Sequence, residues 1–82
     1  MTSYDDQWPD GNGGMMSTFQ AVMIAEGAVP PEGATVDERQ RNYVACWQAL
    51  IDSGAAWSLQ GHFGRVARDL IGQGICTDNA AG

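Results

Sequence analysis

Lysine is absent, and the only cations are Arg39, Arg41, Arg65 and Arg68, set against ten acids for a formal net charge of −6 in 82 residues. A generic phosphate-backbone binder needs a basic face to release counterions, so nucleic acid is not an expected partner. The acids run from Asp5 to Asp78 with only two adjacent pairs, too sparse for a nucleic-acid mimic. Cysteine is scarce too. Cys46 and Cys76 lie thirty residues apart and outside any C-x-x-C pair, which excludes a disulfide-built scaffold and any zinc template. His62 is the sole histidine, and no Ser-His-Asp or Cys-His arrangement follows from its neighbours Gly61 and Phe63. No apolar run approaches the ~20 residues of a membrane span. The start, Met-Thr-Ser-Tyr-Asp-Asp, lacks the basic and apolar regions of a secretory signal. These shortages predict a soluble cytoplasmic protein with no cofactor, no metal, no catalytic residues and no membrane partner.

What is present fits one small domain. A chain this short hides only about 60% of the surface it exposes when unfolded, so its core must be economical. Residues 1–15 read as a flexible acidic leader, because Tyr4 to Asp10 runs into the glycine-rich Gly11-Asn12-Gly13-Gly14. Tyr4 and Trp8, four residues apart, give that leader a second reading as a docking peptide. Met15-Met16 gives another, as an alternative translation start.

The domain itself is expected over residues 16–76 as three helices. The first spans about Thr18 to Glu26, with Phe19, Val22, Met23 and Glu26 on one face, Ser17 or Thr18 as cap, and Gly27 as stop. Phe19 and Met23 belong either to the core or to a contact with a second subunit. Pro30-Pro31 then forbids helix. The second helix opens with a capping box, Thr35 and Glu38, and ends near Ser53 with Gly54 as its left-handed cap. Its apolar stripe is Tyr43, Val44, Trp47, Leu50 and Ile51, and Asp37 can pair with Arg41 one turn on. Ala55 to Gln60 is either a short extended segment or the opening turn of the third helix. That helix runs from His62 to Ile71, buries Phe63, Val66, Ala67, Leu70 and Ile71, and ends at Gly72-Gln73-Gly74 with Ile75 folding back. Residues 77–82 read as a flexible tail. The expected fold is thus an all-α, compact three-helix domain, either complete in itself or completed by dimerisation.

The polar and aromatic residues concentrate in one place. Trp57, Gln60, His62, Arg65 and Arg68 lie within twelve positions, around the third helix start. Trp and Arg are enriched where proteins bind one another, and Trp57 stands either there or in the core. Gly61 and Gly64 invite a phosphate reading, but the remainder of a nucleotide-loop fingerprint is missing. Close approach of a backbone or of the Trp57 ring explains them better. Two helices joined by a glycine-containing turn also resemble a helix-turn-helix reader built on Arg65 and Arg68. The joining segment is longer than the usual 3–4 residues, and Asp69 opposes it.

The segment from Leu50 to Ile71, and within it Trp57-Ser58-Leu59-Gln60-Gly61-His62-Phe63-Gly64-Arg65, resembles a family of small uncharacterised proteins encoded mainly by tailed bacteriophages. Its pattern is a short helix ending in Glu-Gly, a second helix, then Trp-x-Leu-Gln-Gly-x-aromatic-Gly-Arg. Glu26-Gly27 matches the first element, and the likeness spans roughly residues 17–76. The acidic leader and the Pro30 region depart from it. The resemblance implies a phage product made in a bacterial cytoplasm and supplies no mechanism. The expected function is a non-enzymatic accessory protein that binds a host or phage protein, in host takeover or counter-defence. A DNA-binding regulator is the first alternative. Sequestration of a small nucleotide signal at a subunit interface is the second.

Overall fold

The computed structural model describes residues 4–78. Two short strands, β1 (Gln7–Pro9) and β2 (Met15–Ser17), precede four helices: α1 (Thr18–Ala25), α2 (Val36–Ser53), α3 (Ala55–Ser58) and α4 (Gly61–Gly72). The expected all-α three-helix domain with a free acidic leader is therefore corrected. The fold is mixed α/β, a two-stranded antiparallel sheet with four helices, the sheet lying against α1 and α2.

The glycines that make the leader look unstructured build a hairpin turn. The strands pair Gln7↔Ser17, Trp8↔Met16 and Pro9↔Met15. Asp10 Oδ1 accepts the backbone N–H groups of Asn12 and Gly14, and Asp10 N–H donates to Gly14 O. Gly11 sits at φ 89°, and a Cβ there would come 2.5 Å from Arg41 O, so glycine alone lets this turn lie on α2. A hairpin of three-residue strands is unstable by itself in water. Here Met16 enters the core, and the half-buried Trp8 donates its indole N–H to the buried Thr18 Oγ1 at 2.7 Å. Trp8 is thus a packing residue and no free docking anchor. Tyr4 accepts the Phe19 N–H through its carbonyl while its ring stays exposed. Residues 1–3 of the expected leader and 79–82 of the expected tail lie outside the described residues.

Helix ends follow the chemistry of their caps. Ser17 and Gln20 form a capping box on α1, as Thr35 and Glu38 do on α2, which ends on left-handed Gly54. At the end of α1, Ala28 N–H donates to Met23 O and Gly27 N–H to Ile24 O. The end of α4 repeats this with Ile75 to Leu70 and Gly74 to Ile71. The ambiguous Ala55–Gln60 segment resolves into the single turn of α3 and a two-residue link.

The buried faces are turned from those the apolar spacing predicts. α1 buries Thr18, Ala21 and Ile24, whereas Phe19 is 58% exposed. α2 buries Asn42, Cys46 and Ala49 beside Trp47, Leu50 and Ile51, and leaves Tyr43 exposed. The hairpin explains the rotation on α1, because Trp8 packs on the side that carries Thr18. Trp47 sits at the centre with its ring 5.8 Å from that of Phe63, and its indole N–H has no partner among the described residues.

Asn42 ties the loops to α2. It is 1% exposed; its Nδ2 donates to Asp10 O at 2.9 Å, and its Oδ1 accepts Glu32 N–H at 2.8 Å. One side chain therefore holds both the hairpin turn and the segment after Pro31. Around it, Asn12 donates to Glu38 O, and Arg41, expected to pair with Asp37, donates Nε–H to Asn12 Oδ1. At the other end Gln48 clamps Thr77, donating to its carbonyl and accepting its N–H. Truncating Asn42 removes two part-buried hydrogen bonds at about 0.5–1.5 kcal/mol each and opens a small void at a buried position. Asn42→Ala is expected to lower stability by about 2–4 kcal/mol in urea denaturation, against under about 1 kcal/mol for the exposed Asn12→Ala. Equal losses would deny Asn42 this role.

Candidate functional site

The polar and aromatic cluster sits where α3 meets α4. Gly54 turns the chain out of α2, and Ala55 and Ala56 are buried, anchoring α3. Trp57 comes next and is 40% exposed, so its ring is neither in the core nor free. It lies along one face of α4. The Arg68 guanidinium carbon stands 6.0 Å from the centroid of the indole, at the outer limit of a cation–π contact. Gly64, one turn before Arg68, lies beside the same ring: a Cβ there would be 3.9 Å from Trp57 Cε3 and 3.8 Å from Ala56 O. Those are ordinary contacts, so an alanine fits, and close approach does not by itself require glycine at this position.

The remaining members gather at the start of α4. Gln60 is the N-cap residue, exposed, and its side chain makes no capping bond. The first turn carries no acid. α4 therefore begins without the side-chain cap that α1 and α2 carry, though Phe63 N–H donates to Gln60 O. Arg65 is exposed and turns back toward that end, where a Cβ on Gly61 would meet its Nη1 at 3.4 Å. His62 is exposed and stacks on Phe63, ring centroids 4.2 Å apart and tilted by 39°. The structure thus joins Trp57 with Arg68 directly and Arg65 with Gly61. It sets His62 against Phe63 instead. The result is an aromatic ledge beside two guanidinium groups and a helix N-terminus, an arrangement suited to grip an apolar side chain and a carboxylate together.

The two thiols lie elsewhere. Cys46 and Cys76 are both free and buried, and Cys76 Sγ–H points to Val44 O at 3.9 Å. Burial, with the neighbouring Cys76 adding to it, pushes Cys46 up from 9.0 to about 12. Burial and the charge of Asp52 raise Cys76 as well. Such thiols are poor nucleophiles at neutral pH. No group of three or more His, Cys, Asp or Glu able to hold a metal ion occurs among the described residues. No helix among them is long and apolar enough to cross a membrane.

The sequence reading missed Asn42 and Gln48, whose polar side chains gave no signal of burial. It also missed the exposed apolar Val36; Ile75, expected to fold back on the last helix, returns its N–H to Leu70 O but is 46% exposed. The position of Val36, at the opening of a helix, could have hinted at its exposure.

A small mixed α/β domain with a Trp–Arg ledge on its last two helices is the class of protein so defined. The chain belongs to the family described as a domain of unknown function, DUF7417, which matches residues 32–81. The matched segment contains α2, α3, α4 and every residue of the ledge, while the hairpin and α1 precede it. No curated protein and no solved structure matches the chain.

The raised thiol carries a pH signature. Cys46 stays neutral in the fold above the ordinary 9.0, whereas the unfolded chain releases that proton. The associated stability is complete below pH 9 and is lost as pH climbs toward 12. Unfolding free energies from urea denaturation, measured from pH 8 upward, are expected to decline beyond pH 9 by up to about 1.4 kcal/mol per pH unit for this thiol, and less steeply in Cys46→Ala. Identical slopes in both proteins would contradict this assignment.

Proposed function

We propose that the protein is a small non-catalytic accessory protein that binds another protein through Trp57, Gln60, His62, Arg65 and Arg68. The observation that carries this reading is the half-exposed Trp57 ring held beside Arg68 on α4. Trp and Arg dominate the energetics of protein interfaces, and a ring already fixed by its neighbours loses little entropy on docking. The chemistry suits a partner with an apolar knob flanked by acidic side chains. The setting we propose follows the phage resemblance of the Trp57–Arg65 segment: a phage product acting on a host or phage protein in a bacterial cytoplasm.

Two features favour protein over DNA as the partner. Arg68 is turned onto Trp57, and the exposed Asp69 follows it. Further, α3 intervenes between α2 and α4, in place of the tight turn of a helix-turn-helix reader.

Tagged wild-type protein is expected to retain one dominant partner from host lysate. Trp57→Ala and Arg65→Ala, each shown folded by circular dichroism, are expected to reduce recovery by about tenfold or more, the loss of a hot-spot contact. Equal recovery by all three proteins moves the site elsewhere. Salt-dependent binding to duplex DNA, with no protein retained, would replace this reading with the regulator.

A further inference from the structure

The turn between β1 and β2 carries Asn12 followed by Gly13, both exposed. An asparagine before glycine is open to ring closure on its own backbone, because no Cβ on the second residue hinders attack by its nitrogen. Asp10 Oδ1 accepts the N–H on either side, from Asn12 and from Gly14. Between them, the Gly13 N–H has no hydrogen-bond partner among the described residues. A Cβ on Gly13 would meet nothing within 4 Å. The attacking nitrogen is therefore uncommitted and open to solvent.

The amide group it would attack is held at both ends. Asn12 Nδ2 donates to Glu38 O at 2.8 Å, and Asn12 Oδ1 accepts Arg41 Nε–H at 2.9 Å. Both partners belong to α2, and Gly11, pressed against Arg41 O, seats the turn on the same helix. Ring closure has to break that hold, because the departing Nδ2 is the donor to Glu38 O. The other asparagine among the described residues, Asn42, is 1% exposed within α2 and precedes the bulky Tyr43. It provides an internal reference.

We propose that Asn12–Gly13 is a spontaneous deamidation site that α2 restrains and whose product loosens the hairpin. Hydroxide takes the Gly13 N–H proton, the nitrogen bonds to Asn12 Cγ, the Cγ–Nδ2 bond breaks, and ammonia departs with a proton from water. Water then opens the cyclic imide at one of its two carbonyls. The products are aspartate, or isoaspartate with the main chain rerouted through Cγ. Either one lacks the donor to Glu38 O and adds a negative charge to a chain already at −6. Isoaspartate also lengthens the turn that Asp10 closes through residues 12 and 14. The change is one-way, and it lies on the hairpin and the first half of α2, apart from the Trp57 ledge.

The test ages the full chain in mildly alkaline buffer and follows amide-to-acid conversion by peptide mapping in a mass spectrometer. Labelling by isoaspartyl methyltransferase reports the rerouted product. Conversion at Asn12 is expected to exceed that at Asn42 by about tenfold or more. It is expected to run about fivefold faster in Arg41→Ala, and about tenfold faster in wild-type chain unfolded in urea. Amide hydrogen exchange over residues 7–17 is expected to be about fivefold faster in the converted protein, with α4 unchanged. Should Arg41→Ala fail to fold, native against urea-unfolded wild type decides the restraint. Equal conversion at Asn12 and Asn42, equal rates in the folded and unfolded chain, or unaltered hairpin exchange after conversion would each overturn the proposal.

Discussion

The fold depends on one buried amide. Asn42 faces two backbone groups from segments ten and thirty-two residues away, and it satisfies both. Without it the hairpin turn and the proline segment would each lose a part-buried hydrogen bond to α2. Because the amide is used at both ends, it also sets register: the hairpin sits where Gly11 meets Arg41, and the segment of Pro30 sits where α2 begins. The exposed hairpin turn inherits its geometry from that placement. Packing alone, which tolerates sliding, would not specify it.

Much of the helical framework was legible. The capping box at Thr35, the stop at Gly54, the proline break and the glycine after each short helix all act within a few residues, and local rules read them correctly. The hairpin was not legible for a physical reason. Its stability comes from Trp8 reaching Thr18 and from Gly11 pressing on α2, contacts that an eye trained on periodicity cannot see. Glycines in sequence signal either freedom or close approach, and only the neighbour across space decides. The rotated faces of α1 and α2 share that origin, since Phe19 and Tyr43 look like core residues until a different side is covered.

The candidate site shows the same division. Arg65 and Arg68 share one side of α4 by their spacing, and Trp57 on α3 lies beside Arg68 on an exposed face. Their finer arrangement did not follow. Gly64 was expected to permit close approach, yet the space beside it accepts a methyl group. His62 was grouped with Trp57 but stacks on its own neighbour. Family membership rests on residues 32–81, so the ledge lies within the shared unit, while the hairpin and α1 lie before it.

The three tryptophans occupy three unlike surroundings: Trp8 is hydrogen-bonded beneath the hairpin, Trp47 is sealed in the interior, and Trp57 is half in solvent. Indole emission shifts with the polarity around the ring, so the molecule carries its own set of optical reporters. Single-tryptophan versions would let loosening of the hairpin, melting of the interior and coverage of the outer helices be watched separately, with no attached dye to disturb so small a body.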